Sequence, residues 1–327
     1  MKQRYLAYLF TLMGLASLSS CEEEEYAIPV AKQELQNDVI KRTLGPNLAG
    51  LDIEFAYAMA LPPSMGKLVS AEVEASVAGG ESTYLENKSY YTNSSGEDIG
   101  IEVGSKSVNA GTKTTVTFTR DTSAATLRYF YRIPSNAKGQ EVTFRFSATA
   151  SNGQSVSYSM GPYKIAEMDM VLDLDVKDST NAFISIEDMA VYSAAEAAAN
   201  ASKVDLVYLY RSIPKISFAH ALVAPSSTTY LPGVMLPAGV NRSAKVQKVW
   251  NLRDQHLARL QFGVFIDDLD FQQLNIADAP DYAINLKAEA GVWVETQDGK
   301  YRAYVYVNSV NNGSKSAKIS IKRFTMN

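Results

Sequence analysis

Two runs of carboxylates are the residues best able to do chemistry in this chain. FIDDLDF holds Asp267, Asp268 and Asp270, and VLDLDVKD holds Asp173, Asp175 and Asp178. A glycosidase needs only two carboxylates, at a separation that no sequence reveals. Asp268 and Asp270, two apart on an extended chain, would share a face and offer hard oxygens to calcium. The spacing lacks the glycine and terminal glutamate of an EF-hand loop. Asp267, Asp268 and Asp270 therefore stand only as weak metal candidates, and solvated strand edges and turns account for both runs.

The rest of the reactive inventory is small. There are two histidines, His220 and His256, and one cysteine, Cys21. A Ser-His-Asp arrangement would need one of those histidines, but no G-x-S-x-G elbow accompanies them. His and Cys together cannot supply three clustered zinc ligands, and no glycine loop suited to phosphate is present. The expectation is a protein with no catalytic residues and no cofactor, not an enzyme, with a carboxylate-dependent glycoside hydrolase as the remaining enzymatic alternative.

Aromatic side chains offer a different chemistry. NKSYYTNSSGED is polar apart from Tyr90 and Tyr91, so a loop reading gives those rings no apolar core to enter. Exposed rings stack on the C–H faces of sugars while neighbouring polar groups take hydroxyls. Tyr90, Tyr91, Trp250 and Trp293 are the ligand-binding candidates, although Trp293 belongs to an alternating strand and fits a core position as well.

Cys21 has its own context. Lys2 and Arg4 precede an uncharged run from Tyr5 to Leu18, and LSSC is followed by four glutamates. A basic start and a short apolar stretch form a secretory leader, too short for a bilayer span of roughly 20 residues. LSSC resembles the bacterial lipobox, in which the leader is cut before the cysteine and the cysteine is acylated. Cys21 is the expected lipidation site, and two or more acyl chains give stable attachment. The acidic cluster behind it resembles the surface-export signal of Bacteroidetes lipoproteins. The expected location is the outer membrane, lipid-anchored and facing the cell exterior.

Removing Lys2 and Arg4 from 31 Lys+Arg leaves 29 cations against 35 Asp+Glu, a net charge of about −6. No basic stripe recruits phosphate backbones, so nucleic acid is not an expected partner. With its cysteine acylated, the mature chain relies on apolar cores and not on disulfides.

The elements that would position these residues read as follows. Residues 1–20 are the leader, and 21–47 a lipidated acidic tether. Residues 48–166 alternate with period two, as in LDIEFAYAMA and KLVSAEVEASV, and predict an immunoglobulin-like antiparallel β-sandwich. The second strand puts Val69, Ala71, Val73, Ala75 and Val77 on one face, and SNG marks a hairpin turn. Residues 167–327 predict a second, β-rich α+β domain with short helices. In it Ser193 and Glu196 have capping-box spacing before an Ala-rich helix, LRDQHLARLQF predicts another short helix, and Asp298-Gly299 signals a type I′ turn. KVDLVYLYR is apolar on both faces and needs cover on both sides, which predicts a sheet with helices on it in place of a second plain sandwich.

FISIEDMAVYSAAEAAANASKVDLVYLY, NLRDQHLARLQFGVFIDDLDF and GVWVETQDGKYRAYVYV resemble a family of two-domain Bacteroidetes surface lipoproteins whose domains have no assigned function. That family is similar in location and modularity to glycan-capturing accessory lipoproteins encoded with outer-membrane sugar importers. The resemblance implies a lipid-anchored surface protein of two domains and transfers no activity residue by residue. Together with the aromatic candidates it leads to the expectation of a non-enzymatic protein that holds an extracellular ligand, a glycan, through aromatic and polar loop residues. The alternative is an adhesin or envelope-assembly lipoprotein whose partner is another outer-membrane protein.

Overall fold

Alternation of apolar and polar residues sets the first half of the fold. The computed structural model describes residues 32–326 except 214, 215, 228 and 232. The first strands are β1 (Gln36–Lys41), β2 (Asp52–Ala60), β3 (Leu68–Ala75), β4 (Tyr84–Leu85), β5 (Lys88–Thr92) and β6 (Asp98–Glu102). They are followed by β7 (Val108–Ala110), β8 (Lys113–Thr117), β9 (Ala124–Arg132), β10 (Glu141–Ala150) and β11 (Ser155–Lys164). One sheet has the order β1-β2-β9-β4 and its partner β11-β10-β3-β8-β7, while β5 and β6 form a separate hairpin. All their strand pairings are antiparallel. Ile53, Phe55 and Tyr57 of β2 meet Phe144 and Phe146 of β10 in one core, with Phe55 to Phe144 ring centroids 4.9 Å apart. This is the expected immunoglobulin-like sandwich.

Two details differ from expectation. The stretch assigned to the tether already contains β1, with Leu35 and Val39 buried in the sandwich core. The folded body thus begins by Leu35, well before residue 48. On β3, Leu68 is buried while Val69 is exposed. Register shifts there, pairing Ser70 with Thr149 but Leu68 with Ala150. The extra residue is a β-bulge, and a one-residue slip flips side-chain parity.

The second half contains β12 (Asp169–Lys177), β13 (Asn181–Ser185), β14 (Ala190–Ser193), β15 (Leu206–Ile213) and β16 (Ile216–Val223). It continues with β17 (Ala244–Trp250), β18 (Tyr282–Leu286), β19 (Ala290–Thr296), β20 (Tyr301–Asn311) and β21 (Ser316–Thr325). Among the described residues three short α-helices lie between them: α1 (Ala194–Ala199), α2 (Gln255–Ala258) and α3 (Asp268–Gln273). The sheets run β12-β21-β20-β19-β17 and β14-β13-β15-β16-β18. They face each other across a core that includes Leu206, Tyr208, Val292, Val305 and Ile319. Cover for the two-faced strand β15 therefore comes from the opposite sheet on one side. On the other side α1 contributes Ala197, and the Pro-rich segment contributes Tyr230, Leu231 and Leu236. The expectation of helical cover was half of the arrangement.

Local signals behave as their chemistry requires. Ser193 and Glu196 close a capping box on α1. The Asp298-Gly299 turn is not type I′. Gly299 has φ +67° and donates its N–H to Thr296 O at 2.9 Å, and Asp298 keeps negative φ. That is a type I turn followed by a left-handed glycine. The sandwich and the second half lie within one compact unit, Leu35–Asn327. At their junction Gly45, at φ +74°, lies against Phe265; a Cβ there would come 2.4 Å from the ring.

Candidate functional site

An open groove of about 410 Å³ lies on the outward face of the β1-β2-β9 sheet. Its floor is built from Ala58 and Ala60 of β2 and Ala124 of β9; Ala60 stands opposite Ala124 and Ala58 opposite Thr126. Gln36 and Asp38 of β1 form one wall, and Ser89 and Tyr90 of β5 the other. The Ser89 hydroxyl accepts a hydrogen bond from the Thr126 amide at 3.0 Å, pinning β5 to the edge of β9. Asp38 is exposed, and its Oδ1 accepts the amide of Val39 at 2.8 Å. The site therefore joins methyl groups on its floor to polar groups on its rims, an arrangement matching the two-faced polarity of a sugar ring.

Tyr90 and Tyr91 are on a hairpin, not in an irregular loop. Lys88–Thr92 pairs with Asp98–Glu102, Tyr90 opposite Gly100 and Tyr91 opposite Ile99. Asn93 Oδ1 accepts the amides of Ser95 and Glu97, each at 2.9 Å, and closes the turn. The Arg128 guanidinium sits 3.9 Å from the Tyr90 ring centroid and is ion-paired to Asp98. A Cβ at Gly100 would come within 3.0 Å of the same ring. Tyr90 is thus a braced wall, and one ring face is already taken by Arg128, which corrects the open stacking platform expected of it. Burial, then the hydrogen bond and charge of Glu86, hold its phenol above the usual value. Tyr91 is 53% exposed and does not line the groove.

The two tryptophans separate. Trp250 ends β17, half exposed, with Lys248 Nζ 4.7 Å from its ring. Trp293 is 7% exposed and packs on Tyr304 at 4.6 Å and Phe271 at 5.4 Å. Trp293 is a core residue and leaves the set of ligand candidates.

The carboxylates of FIDDLDF form helix caps in place of an extended calcium face. Asp267 is the N-cap of α3 and forms a capping box with Asp270. Asp268 is buried and accepts the amides of Glu167 at 2.8 Å and Met168 at 3.1 Å. Its oxygens are consumed by the chain that leaves the sandwich. Among the described residues no group of three His, Cys, Asp or Glu is placed to hold a metal. In the other run, Asp173 is forked to Arg259 at 2.6 and 2.8 Å, Asp175 meets Lys318 and Asp178 meets Arg211. Each has a different cation.

The histidines are structural. His220 Nε2 lies 2.8 Å from Asn312 Oδ1, and Nδ1 lies 2.6 Å from the Tyr208 hydroxyl. Since the Asn oxygen only accepts, the tautomer carries its proton on Nε2 and the phenol donates to Nδ1. His256 packs on Phe265 at 5.0 Å, with no partner for Nδ1. Burial first, then the charge of Lys322, pulls its imidazolium down to about 4. Beneath it Lys322 and Asp254 are both fully buried and 2.6 Å apart. Lys322 also donates to Ile266 O at 2.8 Å, and Asp254 caps Leu257 and holds Ile266 N. Burial pulls the Lys322 ammonium down, and Asp254 opposes that pull. Cys21 lies outside the described residues.

Sequence reasoning missed Asp38, Ala58, Ala124 and Thr126. The signal was in EFAYAMA: its core positions Phe55, Tyr57 and Met59 alternate with Ala56, Ala58 and Ala60. An outward strand face made of methyl groups marks a place where something else can lie flat.

Residues 32–165 match the family model for a domain of unknown function, DUF4466, and residues 166–326 match another, DUF8576. The chain is 47% identical to a DUF4466 family protein from Parabacteroides merdae, covering 90% of this chain and 99% of that one, with a TM-score of 0.84. Pilins also align: the Streptococcus agalactiae major pilin GBS80 fragment has 13% identity and TM-score 0.29, covering 63% of this chain and 74% of that one. The Bacillus cereus major pilin subunit BcpA has 9% identity and TM-score 0.28, covering 86% and 62%. No curated protein matches the chain.

Proposed function

The chain belongs to the DUF4466 family, and from that premise we propose that it is a lipid-anchored, surface-facing lipoprotein that captures a glycan without transforming it. The observation that carries this reading is the groove between β1 and the β5–β6 hairpin, alanine-floored and polar-rimmed. A saccharide lays its C–H face on Ala58, Ala60 and Ala124, which bury it at about 25 cal/mol per Å². Its hydroxyls reach the side chains of Gln36, Asp38 and Thr126. The reading needs no nucleophile or metal; Asp267 and Asp270 are engaged in the capping box of α3 and Asp268 by the amides of Glu167 and Met168, which weakens the case for a hydrolase built on them.

The leader, the LSSC lipobox and the acidic cluster support the anchored, outward-facing location. A second reading, a protein partner, is favoured by one observation: Phe262 is 79% exposed, with Val264 on the same connecting segment and Leu269 at the start of α3 also exposed. Exposed apolar side chains of this kind suit a protein surface.

Affinity-gel electrophoresis over a polysaccharide panel tests the ligand. Retardation in at least one gel is expected; retardation in none, with a stable protein co-purifying from cells, would replace the glycan by a protein partner. For the address, protease applied to intact cells removes the protein, and Cys21→Ala releases it from the membrane fraction. Protection in intact cells would place it on the inner side.

A further inference from the structure

We infer that the groove selects a neutral glycan and that Asp38 is the residue that rejects anionic ones. The inference rests on the glycan reading above and concerns the charge class of the ligand.

Among the described residues the groove is lined by a single formally charged side chain, that of Asp38. It stands exposed on β1, and the amide of Val39 is its neighbour on one oxygen. None of the cations on the groove-forming strands lines it, and three of them have partners elsewhere. Arg128 covers Tyr90 and is ion-paired to Asp98. Arg132 is engaged by Asp52 and by the Ser82 hydroxyl, each at 3.0 Å. Lys41 donates to Thr43 O at 2.5 Å and lies 5.6 Å from the Tyr163 ring centroid. Lys88 lies along Gly100 and does not line the groove. A ligand sulfate or uronate entering the groove therefore meets a carboxylate and no cation among the side chains that line it. Anion-binding sites instead present forked arginines or rows of backbone N–H donors. A neutral sugar hydroxyl donates to the free lone pairs of Asp38 at no such cost.

At about 6 Å in water the repulsion between two unit charges corresponds to roughly a threefold loss of affinity, and more in the partly excluded groove. It falls in concentrated salt, where the screening length shrinks to about 3 Å at 1 M.

The experiment is titration calorimetry on the full mature protein with a panel of neutral polysaccharides and the sulfated derivative of each. The expected result is binding of a neutral member, at least about threefold weaker binding of its sulfated form, and a ratio that shrinks in Asp38→Asn and in high salt. Equal or tighter binding of the sulfated form, or a ratio unmoved by Asp38→Asn, overturns the inference and leaves glycan capture standing. Binding of no polysaccharide of either class overturns glycan capture itself and the inference with it.

Discussion

Asp268 is buried between α3 and the chain leaving the sandwich, where its carboxylate accepts two backbone N–H groups. Truncation leaves both donors without their acceptor, and buried donors stripped of partners cost about 1–3 kcal/mol each. Asp268→Ala should lower the unfolding free energy by about 2–4 kcal/mol, read by urea denaturation. A neutral result would return this carboxylate to the ligand candidates. His256 supplies a pH test. Its folded-state value, about 4, is depressed below the unfolded 6.5. The fold therefore favours the neutral ring, a contribution present above pH 6.5 and lost as pH falls from 6.5 to about 4. The displacement corresponds to at most about 3 kcal/mol, and to less once solvent screening of this half-buried ring is counted. Acidification over that window should destabilise the wild type more than His256→Gln, and parallel curves for the two would remove the burial argument. Neither role was visible in the sequence, because capping and burial depend on which distant segment arrives: Glu167 reaches Asp268 across 101 positions.

At the scale of elements, period-two alternation made β2, β3, β9 and β10 legible, since each strand has one face in the sandwich core. The β5–β6 hairpin was not legible: Ile99 and Ile101 of β6 alternate but enter no core, and the hairpin is held by the Asn93 turn, the Ser89 pin and Arg128 over Tyr90. The bulge at Val69 was equally hidden, because only the register of β10 reveals it. In the second half, the Ser193 capping box was readable because all its parts lie within four residues. The connection from β17 to α3 is held instead by the Lys322 and Asp254 pair, which ties α2 and Ile266 to β21. Removing one member of a buried pair strands the other charge, at about 3–5 kcal/mol. Lys322→Met should show that loss in denaturant melts, and a change under 1 kcal/mol, the scale of an exposed surface pair, would contradict it.

Across the whole molecule, two antiparallel sandwiches, each of two facing sheets, share one compact unit. The chain's obvious aromatic pair divides its labour: Tyr90 walls a groove, while Tyr91 faces away from it. The floor that the sequence left unnoticed is the more informative part, because Ala124 is exposed and outward. A large side chain there fills the groove while leaving the core untouched, and surface substitutions of that kind usually change stability by less than about 0.5 kcal/mol. Calorimetric titration of a retarded polysaccharide into wild type, Ala124→Trp and Tyr91→Ala is the most direct test of glycan capture by this groove. Binding should vanish in Ala124→Trp and persist in Tyr91→Ala; full affinity in a folded Ala124→Trp variant would contradict the account.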